Sequence, residues 1–319
     1  MTGKLSSSVF YVLFGLMLFW ANANAELPAN VKFCIPKQYR VTYDCPAGGN
    51  APTQQTTAYG NNFTTGVGCN NAPAWRVDDS DTIITSNTTI PYAYTHDIVL
   101  HADYSSLYTI AGDKLINADP DVYLTNSLTM DSEMSPNVFI DTGIYPNQDT
   151  RVVVSFVHTS IGNIFGARLH GTGDTFSFMC TTKGFYRSDY NMQPLLYTNN
   201  IPCPQNERVI VDKNKNITTI TTNSGDVEKL VHALGKFQSP STLTLYALHM
   251  PDLMIYNVVS PKIYYVYIYD NDELIRNMVP VPAGLRIGDY TVPSNGMWDM
   301  VEQKFYQNSG TGEFIYGRD

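Results

Sequence analysis

Short runs of β-branched and aromatic residues recur along most of this chain, and Gly, Pro, Asn and Asp separate them. From residue 137 onward such runs follow one another about every 8–12 residues, a spacing that predicts an all-β sandwich. The most regular run, residues 263–269, contains no Gly or Pro and is about as long as one strand. Asn271 and Asp272 then supply a turn, and residues 274–279 are expected to return as the partner strand.

Neither face of the 263–269 strand is polar. Strict alternation divides its residues into two sets: Ile263, Tyr265, Tyr267 and Tyr269 on one face, and Tyr264, Val266 and Ile268 on the other. A strand that is apolar on both faces is usually covered on both. We therefore expect it in the middle of a sandwich, with most of its tyrosines packed between two sheets.

The composition favours an exported protein that does not bind nucleic acid. Only 15% of the 319 residues are charged and 22 are Tyr, which is typical of β-rich secreted or surface proteins. The formal net charge is −9, and no Lys/Arg cluster offsets it, so nucleic acid is not expected as a partner.

Residues 1–25 have the pattern of a cleaved secretory signal peptide. Lys4 precedes an apolar run at 9–20, and Ala23-Asn24-Ala25 fits the small-residue cleavage rule. The run is shorter than the roughly 20 residues that a membrane span needs. We expect residues 26–36 to be a short leader and the mature chain to be secreted or held in the bacterial cell envelope without spanning a membrane.

Five cysteines follow the signal segment, so at least one is left over if the others pair. Grouping along the chain favours two disulfides, Cys45–Cys69 and Cys180–Cys203, and leaves Cys34 unpaired. The alternative is that several are reduced, buried side chains. None of the spacings is that of a zinc site.

Residues 37–104 contain an ordered set of β motifs. A Tyr39-x-Val-x-Tyr43 strand is followed by Gly48-Gly49, the step Ala58-Tyr59-Gly60, Trp75 and an alternating strand at 97–104. This order resembles the Listeria–Bacteroides repeat, also called the internalin B-type repeat, and implies a small β-grasp-like module. Residues 105–135 then form a linker or the first segment of the next domain.

Residues 136–319 carry a second set of motifs. They are FIDTGI at 139–144, IFGAR at 164–168, KIYYVYIYDNDELIRNMVP at 262–280 and GMWDMV at 296–301. The set resembles the laminin G-like, concanavalin A-like lectin/glucanase superfamily, in its bacterial and phage form. The resemblance implies a jelly-roll β-sandwich. It names no ligand, because this fold hosts many functions.

The carboxylates do not form a glucanase motif. Glucanases of this fold carry paired carboxylates on one strand, roughly E-x-D-x-x-E, and no such motif occurs. The closest group, Asp270, Asp272 and Glu273, falls on the expected hairpin turn. No G-x-S-x-G elbow is present either. We expect no enzyme activity, and a degenerate glycoside hydrolase or lyase is the alternative.

One segment combines aromatic, charged and amide side chains in the way that sugar sites do. The candidate ligand-binding residues are Tyr186, Arg187, Asp189, Tyr190 and Asn191. The resemblance equally allows a structural corner here. Asp212, Asn214 and Asn216 alternate as in a calcium loop, but no Gly or distal Glu follows, so they predict a turn. Neither a metal nor another cofactor is expected.

One helix is predicted, over residues 227–234, where apolar residues recur at helical spacing, although the segment equally fits a loop. Together the patterns indicate an exported, non-catalytic protein that acts in adhesion or recognises a glycan or a cell-surface protein. A structural envelope component without a ligand is a further alternative.

Overall fold

Strands make up nearly all of the regular structure in this computed structural model, as the sequence predicts. The structure describes residues 36–45, 50–69, 71–126, 138–158, 160–169, 175–251, 254–256 and 260–319. Tyr39–Asp319 forms one compact unit. The predicted signal peptide, Cys34, Gly48-Gly49 and part of the 105–135 segment lie outside the described residues. Among those described, no helix is long and apolar enough to cross a membrane.

The first part of the chain builds a mixed five-stranded sheet. The strands that come first and last along the chain are neighbours in this sheet and run parallel, with Val41 opposite Ile98. The side chain of Trp75, a residue of this sheet, is fully buried. The Cys45–Cys69 disulfide is formed, as predicted. The strands of this part are β1 (Gln38–Asp44), β2 (Gln55–Ala58), β3 (Asn62–Thr64), β4 (Ala74–Val77), β5 (Ile83–Thr85), β6 (Thr89–Pro91) and β7 (Ile98–Asp103). The sheet order is β2-β1-β7-β4-β5, and β3 pairs with β6 alongside it.

Three tyrosines join this part to the rest of the unit. The Tyr104 ring packs edge-on against Tyr316 at 5.0 Å. The Tyr108 hydroxyl donates to the Pro280 carbonyl at 2.8 Å and lies 3.0 Å from the Tyr316 hydroxyl. The connecting elements are a 3₁₀ turn (Ser105–Leu107) and the hairpin of β8 (Tyr108–Ala111) and β9 (Lys114–Ala118).

The remaining strands form two large sheets. One has the order β19-β18-β17-β12-β23-β24-β27-β28, with β10 beside β23 and β29 beside β10. Its strands are β10 (Val122–Asn126), β12 (Thr150–His158), β17 (Gln205–Asn214), β18 (Ile217–Thr222), β19 (Val227–Val231), β23 (Lys262–Asp270), β24 (Glu273–Val281), β27 (Gly296–Asp299), β28 (Lys304–Tyr306) and β29 (Phe314–Arg318).

The second sheet has the order β11-β20-β13-β14-β15-β16, with β21 beside β13 and β22 beside β21. Its strands are β11 (Ile140–Asp141), β13 (Gly162–Arg168), β14 (Thr175–Cys180), β15 (Phe185–Tyr190), β16 (Leu196–Pro202), β20 (Thr244–Leu245), β21 (Leu248–Met250) and β22 (Met254–Tyr256). A small hairpin of β25 (Arg286–Ile287) and β26 (Tyr290–Thr291) stands apart.

Aromatic side chains fill the space between the two sheets. Phe156 of the first sheet contacts Phe178 and Tyr186 of the second, with ring centroids 6.3 and 6.1 Å apart. All three are fully buried. The Cys180–Cys203 disulfide connects the end of β14 to the segment after β16, which confirms the second predicted pair. The chain is therefore all-β, a sandwich preceded by a small mixed-sheet module.

The central strand β23 differs from its predicted arrangement. Ser155 of β12 opposes Tyr265, whereas the next residue, Phe156, opposes Ile263, so Tyr264 is a β-bulge. The bulge reverses the order in which side chains alternate between the two faces of the strand. Ile263 therefore lies in the core with Val266 and Ile268. Tyr265, Tyr267 and Tyr269 are only partly buried, on the outer face of the sheet. The expectation that most of these tyrosines pack between sheets is wrong.

The predicted helix at 227–234 is also wrong. Residues 227–231 form β19, an antiparallel partner of β18. The Glu228 carboxylate accepts backbone hydrogen bonds from Asn199, Asn200 and Ile201 on the neighbouring β16. The helical spacing of apolar residues arose because Leu230 points into the core while Val227 and Val231 lie on the exposed outer face.

The turn predicted at Asn271 and Asp272 is confirmed, whereas the turn predicted from Asp212, Asn214 and Asn216 is limited to residues 215–216, because Asp212 and Asn214 lie in β17. Asn271 and Asp272 adopt left-handed backbone conformations and connect β23 to β24, so the acidic group at 270–273 lies on a hairpin. Lys215 adopts the same conformation between β17 and β18. Asp212 forms an ion pair with Arg151, whose guanidinium donates to both carboxylate oxygens at 2.9 and 2.8 Å.

Lys213 is buried between the sheets, although lysine is almost never found there. Its Nζ donates to Ser188 Oγ at 2.8 Å and lies 4.8 Å from the centre of the Phe176 ring. Burial lowers the pKa of Lys213 to about 7, and the charge of Asp189 acts in the opposite direction. A neutral amine therefore suits this position better than an ammonium.

Replacing Lys213 with Met should stabilise the protein in a pH-dependent way. The unfolded lysine has a pKa of about 10.4, so between pH 7 and 10 the unfolded chain binds a proton that the folded chain lacks, and wild-type stability rises with pH. The K213M variant lacks that rise. Its advantage, on the order of a few kcal/mol, is expected to be largest near pH 7 and to shrink toward pH 10. Urea unfolding across this range measures it.

The matched control is K229M, because Lys229 is exposed on β19 of the same sheet. Its free energy of unfolding should follow that of the wild type across the same pH range. If K213M and the wild type had parallel pH profiles, burial would not lower the pKa of Lys213 in the folded protein.

Candidate functional site

The structure divides the predicted ligand-binding group between the two faces of β15. Tyr186 and Tyr190 point between the sheets and are fully buried. Tyr186 stacks on Phe178 at 5.2 Å, and the Tyr190 ring packs edge-on against Phe237 at 5.1 Å. Alternation along the strand places Arg187 and Asp189 on the opposite face. The two tyrosines are therefore core residues and present no ring to a surface ligand.

Arg187 and Asp189 do lie together on the outer face. The Arg187 guanidinium donates to Asp189 Oδ2 at 2.8 Å, and Ser177 Oγ donates to the same oxygen at 3.0 Å. Asp189 is only 4% exposed. Asn191 begins the turn after β15 in a left-handed conformation. Ligand binding by this group stays a prediction that the geometry does not test.

A different part of the molecule forms an open cleft of about 490 Å³. This volume falls in the range of roughly 300–1,000 Å³ in which proteins bind small ligands. Three hairpins build the cleft, namely β8–β9, β25–β26 and β27–β28, together with the turns that connect their strands. The lining residues are Asp113, Ile287, Asp289, Tyr290, Trp298, Gln303, Lys304 and Phe305.

Gly288 allows the turns of the first two hairpins to pack directly against each other. It has a φ of +58°, and a Cβ at this position would lie 2.8 Å from the Asp113 Cα. Only glycine combines this conformation with such a close approach. The contact brings Asp113 and Asp289 to the same rim of the cleft.

The Gln303 side chain attaches the third turn. Its Oε1 accepts from the Leu115 backbone N–H at 2.9 Å, and its Nε2 donates to the Leu115 carbonyl at 3.1 Å. The same Oε1 accepts from Trp298 Nε1 at 3.2 Å. One amide therefore joins β9 to the β27–β28 hairpin and fixes the plane of the indole at the base of the cleft.

Three aromatic rings line the cleft. Tyr290 is 42% exposed, whereas Trp298 is 4% exposed and forms the floor. The Tyr290 ring centre lies 5.5 Å from that of Trp298 and 6.5 Å from that of Phe305. Partly exposed rings of this kind bind apolar ligand faces, while polar groups at the edge set the orientation.

The charged groups that line the cleft are two carboxylates and one ammonium. Asp113 and Asp289 are exposed, and neither forms an ion pair with another described residue. Lys304 Nζ lies 4.9 Å from the Tyr306 ring centre, at the side of the cleft. Within the described part of the chain, no three His, Cys, Asp or Glu side chains are placed to hold a metal ion. The cleft thus offers hydrogen-bond acceptors beside aromatic faces.

Sequence reasoning missed this cleft. In the sequence, Trp298 is recognised only as part of the GMWDMV motif at 296–301, and Asp113 lies in the segment interpreted as a linker or the first segment of the next domain. The Gly-Asp pairs at 112–113 and 288–289 indicate two turns, but they are 176 positions apart (289 − 113). No local pattern shows that two such distant turns meet.

Comparisons with known proteins give little further information. No family model matches the chain, and no curated protein is similar to it at a significant level. Among solved structures, domains LG4-5 of the mouse laminin α1 chain are similar over 60% of this chain and 51% of their own, at 10% identity and a TM-score of 0.29. Tailspike protein 2 from the Escherichia coli O157:H7 bacteriophage CAB120 is similar over 72% of this chain, at 11% identity and a TM-score of 0.29.

These similarities are too weak to decide the fold or the function. The chain spans about half of the laminin structure, and 34% of the tailspike chain. The internalin B-type resemblance of residues 37–104 stays a prediction.

Gly288→Ala should destabilise the protein more than Gly284→Ala. Both glycines have a positive φ, but a Cβ at Gly284 meets no atom within 4 Å, whereas one at Gly288 meets the Asp113 backbone. Both variants therefore carry the same kind of backbone strain. Their free energies of unfolding should differ by about 1–3 kcal/mol, because only the Cβ at position 288 clashes with another segment. Urea unfolding of the two variants measures it. Equal losses would mean that the two turns are not in contact.

Proposed function

We propose that this protein is an exported, non-catalytic binding protein that recognises a glycan in the cleft of Tyr290, Trp298 and Phe305. The observation that carries the proposal is the combination of three rings with the carboxylates of Asp113 and Asp289 in one open cleft. Sugar rings present C–H faces, which pack on aromatic rings, and hydroxyl groups, which donate to carboxylates.

Two further features support export. Cys45–Cys69 and Cys180–Cys203 are disulfides, and disulfides persist mainly in oxidising compartments. The sequence of residues 1–25 agrees with this location. The protein would then meet glycans, or glycan-bearing surface proteins, outside the cytoplasm.

The two carboxylates also make a glycoside hydrolase the second candidate. A glycosidase needs one carboxyl group that stays protonated, which usually requires a desolvated position, and one that acts as base or nucleophile. Asp113 and Asp289 both lie on exposed turns. This favours binding over hydrolysis.

Binding should be visible in the tryptophan fluorescence of the purified chain. Trp298 lies in the cleft, whereas Trp75 is fully buried in the first module, so a sugar in the cleft is expected to change the emission of Trp298. A glycan array first identifies the ligand class, and titration of the best hit then gives an affinity. Tyr290→Ala removes the exposed stacking face and should weaken binding about tenfold.

Tyr145→Ala is the matched control, because Tyr145 is 54% exposed and does not line the cleft. Its affinity should equal that of the wild type. Blank arrays, or equal affinities for Y290A and the wild type, would contradict the proposed site. Release of reducing ends from the bound glycan, lost in the Asp289→Asn variant, would instead identify a hydrolase.

A further inference from the structure

The outer face of the large sheet carries a strip of three tyrosines that the cleft does not include. Tyr265, Tyr267 and Tyr269 alternate along β23 and are partly exposed on that face. The Tyr265 and Tyr267 rings stack with centroids 4.8 Å apart and planes at 19°. Alternate residues of a strand are about 6.8 Å apart, so the strip extends over about 14 Å.

Two cations contact the rings of the strip, and each is paired with a carboxylate. Arg151 lies 4.9 Å from the Tyr269 ring centre and makes a two-point ion pair with Asp212. At the other end, Arg208 lies 5.9 Å from the Tyr265 ring centre and 3.5 Å from Asp121. Both cations are already paired, so the strip complements a neutral partner.

The tyrosine hydroxyls are available to such a partner. Among the described residues, none accepts from or donates to the hydroxyls of Tyr265, Tyr267 and Tyr269. Partial burial and the neighbouring hydroxyls raise the pKa of Tyr267, so its hydroxyl keeps its proton and can donate. A neutral polymer rich in hydroxyl groups matches this row of ring edges and hydroxyls.

The strand register places this strip on the same face as the cleft. Tyr267 opposes Asn277 on β24, Val279 opposes Trp298, and Trp298 opposes Phe305. Directly opposed residues share a face, and Asn277 and Val279 are alternate residues of one strand. The cleft floor therefore lies two strands from the strip, about 10 Å across the sheet.

We propose that the tyrosine strip of Tyr265, Tyr267 and Tyr269 extends the cleft, so that the protein binds a long, neutral polysaccharide chain rather than a short sugar. This inference rests on the proposed function, because the cleft supplies the first subsite. The strip adds contacts that only a chain of several sugar units reaches. Affinity should therefore increase with the length of the glycan, and the tyrosine strip should produce that increase.

The test compares short and long neutral oligosaccharides. Chito-, cello- and malto-oligosaccharides, each as disaccharide and octasaccharide, are titrated into the wild type by calorimetry. For the series that binds, the octasaccharide should bind at least about tenfold more tightly than the disaccharide. In the variant with Tyr265, Tyr267 and Tyr269 all changed to Ala, the two affinities should become equal, with the disaccharide affinity unchanged.

Further variants separate the outcomes. Tyr290→Ala should weaken both lengths, and Tyr145→Ala should weaken neither. Tyr267→Thr, which suits a strand, replaces the triple variant if circular dichroism shows that the triple variant does not fold. It should reduce the gain with length.

Two results would overturn the strip proposal while leaving the cleft intact. One is binding of the disaccharide with no gain in affinity for the octasaccharide. The other is a length gain that the strip variants retain. Light scattering excludes another occupant: if the strip variants turned a dimer into a monomer, the strip would bind a second copy of the chain instead. If no oligosaccharide or arrayed glycan bound the wild type, the proposed function itself would fail.

Discussion

The pairing of β12 with β23 is the contact on which the rest of the sandwich depends. β23 lies near the middle of the larger sheet, and the bulge at Tyr264 sets which of its side chains face inward. Ile263, Val266 and Ile268 enter the core, while the tyrosines of the strip turn outward. One extra residue in one strand therefore places Ile263 in the core, on the face opposite the tyrosines of the strip.

The cleft depends on a different kind of constraint. Its side chains come from three hairpins, and two specific contacts hold these hairpins in place. Gly288 lets two backbones touch, and Gln303 connects β9 to the hairpin that carries Trp298. Rigid strands hold these turns, which is the common arrangement of binding sites on β-sandwiches.

The interior also contains polar groups that sequence reasoning assigned elsewhere. Tyr186 and Tyr190 belong to the core with Lys213, whereas Arg187 and Asp189 lie on the other face of the same strand. The five consecutive residues 186–190 thus serve two separate environments. A motif on a strand is divided by the pleat, so adjacency along the chain does not bring its side chains together.

Local signals are enough to predict the all-β class and the main hairpins, and they favour the two disulfides, because β-branched runs, turn residues and cysteines close along the chain are visible in the sequence. The bulge at Tyr264, the edge strand at 227–231, the burial of Lys213 and the cleft are visible only in the folded chain. Each of these depends on which distant segment lies alongside. Asp113 and Asp289 share one rim because two turns meet through Gly288, and no local rule of sequence contains that contact.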